Sequence, residues 1–263
     1  MKHFRANHVT CDYSILKMHS KNQPLKKSLL EMAGDGKFIS GICNYCNRWC
    51  ERCSKTQNCL SFASEQFKKG IDAEQINNDT ENKKFWNAIE EILKLDSNDL
   101  IKSTKVKFAE KDSQNNLILL ARQYENSLKN WFTKNSFSFE EKAKLVVAYY
   151  NNKNIIFSDA TEILKWYSKF ISKRILRSLN NLNERKTGNP EDAKNPYLDN
   201  IGSAKNTILA CDHSMAAFTL LYAEMEEHQN EIQIFINQLI EIKNRLLEIF
   251  PEVLQFKRPG FDR

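Results

Sequence analysis

Glycine and proline are scarce in this sequence, with seven and five residues among 263. So few chain-breaking residues argue against a turn-rich, all-strand fold and leave helix as the expected state. Long apolar runs are missing too. The densest, LVVAYY at 145–150, is far short of the roughly 18 residues that a membrane-spanning helix needs. The opening MKHFRANHVTCDYS lacks the apolar stretch of about 7–15 residues at the heart of a secretory signal. The expectation is a cytoplasmic protein with no membrane segment, in which thiols stay reduced. GxGxxG, GxxxxGKS/T and HExxH are also absent, which disfavours nucleotide binding by the standard loops and excludes the HExxH zinc site.

Charge of one sign is lacking over most of the chain. The formal +6 resides wholly in residues 1–60, where ten basic side chains face four acidic ones; residues 61–263 carry 29 of each. A general nucleic-acid coat is therefore disfavoured, and any electrostatic attraction belongs to the N-terminal end.

What the sequence does hold is helical periodicity. PLKKSLLEMAGDGKF, 24–38, predicts a short helix stopped at Gly34 and Gly36, and CLSFASEQFKKG, 59–70, another stopped at Gly70. Residues 83–95 present Phe85, Trp86, Ile89, Ile92 and Leu93 on one face. KVKF at 105–108 alternates like a short strand. Leu117, Ala121, Tyr124, Leu128 and Trp131 recur at steps of three and four over 115–132. SFEE, 138–141, reads as a capping box opening the helix of LVVAYY. SDAT, 158–161, opens a helix with Ile163, Tyr167, Phe170 and Ile171 inside.

NNLNERKTGNPEDAKNPYLDNIG, 180–202, is polar and carries two prolines, so it reads as a long loop. Ser203 then caps a stripe running through Ile208, Cys211, Met215, Phe218, Tyr222 and Met225. The stripe continues past His228 to Ile232, Phe235, Leu239, Ile242, Leu246 and Ile249. One straight helix of that length would reach roughly 72 Å. Steps of three on both sides of Met225 predict a bend or break there. The fold class is all-α: an irregular helical bundle over 71–263, with a small cysteine-rich, metal-binding module over 1–70.

That module contains CNYCNRWCERC, 43–53, with Cys59 close behind: five of the seven cysteines in 17 positions. One reading is packing, since spacings of 3, 4 and 3 align four thiols along a helix. Asn44, Asn47, Arg48, Glu51 and Arg52 between them belong on a surface instead. A disulfide framework fits poorly with an odd cysteine count. Zinc is the preferred reading, because each CxxC can turn both sulfurs to about 2.3 Å from one ion. A continuous helix would hold Cys43 and Cys53 about 15 Å apart, so metal binding requires turns. Any four of Cys43, Cys46, Cys50, Cys53 and Cys59 could complete a tetrahedron.

The alternative is a 4Fe–4S cluster, which tolerates closely linked ligands. CNRWCERC, 46–53, resembles the CxxxCxxC motif of the radical S-adenosylmethionine enzymes, and the resemblance implies such a cluster. It covers eight residues. The family's aromatic residue usually directly precedes the last cysteine; here that position is Arg52, while Trp49 precedes the middle one. The strands and helices of that family's partial barrel also have no counterpart in the helical pattern downstream.

Trp49 is read as packing the module onto the helical body or covering the metal, and Cys11 as near enough in sequence to approach it. Cys211 and His228 fall in the final apolar stripe and read as core residues. No second helix offers the Glu-x-x-His pair of a bundle metal centre. Asp212 and His213 point apart on a helix and form no dyad. Lys165, Lys169, Lys173 and Arg177 make a basic row, which ordinarily is a solvated face. QFKRPGFDR, 255–263, either docks back or offers Phe256 and Phe261 to a partner. The functional expectation is a zinc-stabilised partner-recognition protein, with protein favoured over nucleic acid; the alternative is an iron–sulfur redox or metalloenzyme.

Overall fold

The apolar stripes become the buried faces of helices. The computed structural model describes residues 31–32, 34–96, 113–149, 157–180 and 190–262. Among them are seven α-helices and no strand: α1 Leu60–Lys68, α2 Asp79–Asp96, α3 Ser113–Lys134, α4 Ser136–Tyr149, α5 Phe157–Leu179, α6 Pro190–Glu224 and α7 Gln229–Ile249. None is long and apolar enough to cross a membrane. The chain divides into a cysteine-rich unit, Met1–Lys83 with Lys257–Arg263, and a bundle unit, Lys84–Phe256. KVKF at 105–108, Cys11 and residues 24–30 of the first expected helix lie outside the described residues.

In the bundle unit, α3, α5, α6 and α7 contact one another in a ring: each packs on the next, and α7 closes on α3. α4 packs on α3 and α5. The α3 stripe Leu117, Ala121, Tyr124, Leu128 and Trp131 is buried throughout, as are Ile163, Tyr167, Phe170 and Ile171 of α5. Phe235 of α7 stacks on Phe218 of α6 at 5.5 Å and meets Tyr124 and Trp131 at 6.2 and 5.4 Å. This aromatic cluster joins three helices through one ring.

α6 is the central element. Ile201, Ser203, Ala204, Thr207, Ile208, Ala210, Cys211, Ser214, Ala216, Ala217, Phe218 and Leu221 are all buried, the pattern of a helix enclosed on most sides. Its small side chains permit close approach by the neighbouring helices.

Three sequence expectations need revision here. The expected loop at 180–202 is helical from Pro190, a residue suited to a first helical turn because its missing N–H has no partner there anyway. Asp199 pairs with Arg177, and Asn200 donates to the Asn180 carbonyl at 2.9 Å, fastening this stretch to the end of α5. Residues 181–189 of that loop lie outside the described residues. Ser203 is accordingly an interior residue and no cap. Ser138 does not cap α4 either: the helix starts at Ser136, where Phe139 is drawn against Trp131 and Phe132 at 5.0 and 4.9 Å. Burial of that ring outweighs a capping bond.

The interruption at Met225 is as expected and sharper than a bend. α6 stops at Glu224, one 3₁₀ turn covers Glu226–His228, and α7 begins at Gln229. Met225 is fully buried in a non-helical conformation. Gln229 Nε2 donates to the Tyr222 carbonyl at 3.1 Å, occupying an acceptor that α6 leaves free. The two halves of the stripe thus fold onto each other instead of extending.

Replacing Phe235 with alanine removes the ring shared by three helices; a loss of about 3–5 kcal/mol is expected from such a truncation, read as a lower urea midpoint. In the cysteine-rich unit, Gly260 has φ +79, and an added Cβ would lie 2.8 and 2.9 Å from the Cδ1 atoms of Ile42 and Ile39. Gly260→Ala should cost about 1–3 kcal/mol through backbone strain and overpacking, measured by thermal unfolding of that unit.

Candidate metal centre

Between Gly41 and Cys59 the chain is built from turns, not from helix. Single 3₁₀ turns cover Ile42–Asn44, Cys50–Arg52 and Thr56–Asn58. Gly41 and Arg48 take left-handed conformations, with φ of 70 and 59. An L-residue such as Arg48 seldom adopts that region without a local reason. Here it reverses the chain between Cys46 and Cys50. The single-faced thiol helix is therefore ruled out, and the turns that metal binding would require are present.

Polar side chains hold these turns where a large apolar core is lacking. Asp79, the first residue of α2, accepts from the backbone N–H groups of Thr56 at 3.1 Å and Gln57 at 3.2 Å, and from the Thr56 hydroxyl. Buried Asn82, one turn later, donates to the carbonyls of Glu51 at 3.1 Å and Cys53 at 2.9 Å. Gln57 donates to the carbonyls of Ala73 and Ile76. After Cys59 the chain enters α1, which ends as expected at Gly70 with φ +73.

Lys257–Asp262 also belongs to this unit. Arg258 clamps Asp262 through its guanidinium and its own backbone N–H, at 2.7 and 2.9 Å. The guanidinium lies over the Phe261 ring, 5.1 Å from its centroid. The expectations for this stretch are docking on the helical body or display to a partner; from Lys257 it instead belongs to the cysteine-rich unit.

One cavity of about 190 Å³ gathers the cysteine sequence: Cys43, Cys46, Cys50, Cys53 and Cys59 all line it, with Trp49, Phe62 and Phe261 as apolar wall. Trp49 is buried at 3% exposure, so it packs the unit and faces the cysteines' cavity at once. Cys43 is disulfide-bonded, whereas Cys46, Cys50, Cys53 and Cys59 stand outside any disulfide. The expectation of wholly reduced cysteines does not hold for Cys43.

Backbone N–H groups two residues on favour the ionised sulfur at Cys53 and Cys59. Arg48 N–H donates to Cys46 Sγ at 3.4 Å. The N–H of Lys55 acts on Cys53, and those of Ser61 and Phe62 act on Cys59. Cys59 does not close a side-chain cap on α1. Burial opposes ionisation more strongly. It pushes the Cys50 and Cys53 thiols up to about 12, aided by repulsion from neighbouring sulfurs, and it also raises Cys59. These are thiols close enough to resist sharing negative charge. Among the described residues no three His, Cys, Asp or Glu side chains converge tightly enough, as they stand, to hold a metal ion.

The bundle unit deals with the remaining candidates. Cys211 is fully buried in α6, and burial holds its thiol well above the ordinary range. His228 packs edge-on to Trp131 at 5.6 Å, with Nδ1 3.6 Å from Glu231. Asp212 pairs with Lys243 at 2.6 Å, while His213 stacks on Trp86 at 4.7 Å and meets the Tyr167 hydroxyl at 3.2 Å. The two neighbours have separate partners and make no dyad. The basic row is divided too: Arg177 holds Asp199, Lys165 covers the Phe132 ring, and Lys169 and Lys173 are exposed.

Sequence reasoning missed Asp79 and Asn82, and it did not place Phe261 at the cysteines. The first two are three apart at a helix start, as capping residues often are, but nothing local points them at loops 22 to 31 positions earlier. No protein-family model, curated protein or solved structure matches this chain.

The raised thiols set a pH dependence for the metal-free protein. A thiol that titrates near 9 when unfolded and near 12 when folded keeps its proton in the folded state over that interval. The folded state then binds more protons, so its stability is fully present below pH 9 and falls as pH rises toward 12. Urea unfolding of the cysteine-rich unit across that range, with chelator present, should show this decline.

Proposed function

We propose that Cys46, Cys50, Cys53 and Cys59 hold a structural zinc ion, and that the unit so fixed recognises a protein partner. The supporting observation is that Cys46, Cys50, Cys53 and Cys59, all outside any disulfide, line one cavity, with a backbone N–H favouring the thiolate at Cys53 and Cys59. Four soft sulfur donors suit tetrahedral zinc. The cation would offset both the burial and the mutual repulsion that now oppose ionisation. Cys43 shares the cavity wall; its disulfide leaves it outside the ligand set of this proposal. When bound, zinc supplies cross-linking energy to a segment whose turns are otherwise held by side-chain hydrogen bonds.

Charge and exposure favour protein over nucleic acid as the partner. Residues 1–30 hold six basic side chains and one acidic, whereas residues 31–60 hold four and three. The described surface near the cysteines therefore has little net charge to attract phosphate. Phe67 and Ile71, each 43% exposed, instead border a second cavity of about 130 Å³ shared with Met32, Phe38 and Ala63. Adjacent apolar exposure of this kind is typical of protein contacts.

A 4Fe–4S cluster is the second reading, favoured by the breadth of the cavity and by donors that do not converge on a single point. A cluster fills more space than one ion, and it would supply electron transfer.

Anaerobically purified protein should be colourless and carry one zinc. Serine at any of Cys46, Cys50, Cys53 or Cys59 should lose the metal and unfold the cysteine-rich unit, whereas Cys211→Ser should retain it. Brown protein with iron and sulfide would replace zinc by the cluster. Metal-free protein whose cysteine-rich unit is folded and indifferent to chelator would refute both.

A further inference from the structure

We infer that Phe261 is a positioning residue of the thiol site: its ring walls the cysteine cavity and limits access of water and attacking reagents to the sulfurs. Phe261 is far from the cysteines in sequence yet lines the same cavity. Three independent features hold it there. Gly260, at φ +79, seats the backbone so close to Ile39 and Ile42 that an added Cβ would meet their Cδ1 atoms at 2.9 and 2.8 Å. The Arg258–Asp262 clamp closes the segment into a tight loop, with Phe261 N–H donating to the Arg258 carbonyl at 3.1 Å. The Arg258 guanidinium then covers the ring. A segment serving only to pack would need none of this on the cavity side, where Phe261 joins Trp49 and Phe62 in an apolar wall.

Such a wall lowers the local dielectric, strengthening interactions between sulfur and a bound cation. It also obstructs chelators and electrophiles. The metal part of this inference rests on the zinc reading above; the shielding part applies equally to the free thiols.

The test uses the full chain carrying Phe261→Ala, with Phe261→Leu as the conservative variant. Two rates are measured: zinc transfer to a chromogenic chelator from loaded protein, and alkylation of the free thiols by iodoacetamide after metal removal. Phe261→Ala should accelerate both by about tenfold, the lower range of losses when a metal's outer shell is altered. Phe261→Leu should restore rates near those of the parent, since it refills the wall. Should Phe261→Ala fail to fold, Asp262→Asn keeps the ring while weakening its clamp, and should accelerate both rates to a smaller extent. Unchanged rates in a folded Phe261→Ala protein would overturn the inference. If the parent chain binds no zinc, the zinc reading fails separately, and the alkylation rates alone decide the shield.

Discussion

The organising constraint in the cysteine-rich unit is the desolvation of sulfur. Cys50, Cys53 and Cys59 are half-buried and set near one another, which makes their thiolates costly. Evolution of a simple core would more readily place aliphatic side chains there, since they carry no such penalty. Backbone N–H groups favour the charged form at some sulfurs while burial disfavours it. The same tension explains the reliance on Asp79, Asn82 and Gln57: a segment that spends its interior on thiols must hold its turns by hydrogen bonds to backbone groups.

The bundle unit solves the opposite problem. Its interior is apolar and aromatic, and its polar side chains are largely accommodated locally. Thr207 and Ser214, buried in α6, each donate to the carbonyl four residues earlier, which lets a hydroxyl enter a helix interface without an unpaired donor. Arg177–Asp199 and Asp212–Lys243 tie neighbouring helices at the margins. This division leaves Arg177, Asp212 and His213 of the bundle engaged in pairing and ring contacts, while four of the five cysteines at the cavity stand outside any disulfide.

The helices were legible in the sequence because their information is periodic. Steps of three and four on α3, α5 and α7 became buried faces, and the shortened steps around Met225 marked the break. Caps were less legible. Ser138 has the right neighbours for a capping box, yet burial of Phe139 moves the helix start. Prolines and polar residues over 190–202 suggested a loop, but contacts to α5 and the enclosure of Ile201 and Ala204 favour helix. At the cysteines, the sequence supplied the donors and the need for turns. It could not supply the disulfide of Cys43, the left-handed Arg48, or the partners Asp79, Asn82 and Phe261, because these depend on residues brought together from distant positions.

The participation of Lys257–Asp262 in the cysteine-rich unit has a consequence for biosynthesis. These residues are translated after every helix of the bundle, so the cysteine loops emerge from the ribosome long before the wall that encloses them. During that interval the thiols face the cytosol or any other folding compartment incompletely screened. The order of synthesis itself thus sets an interval in which these sulfurs are open to oxidation before the Phe261 segment can enclose them.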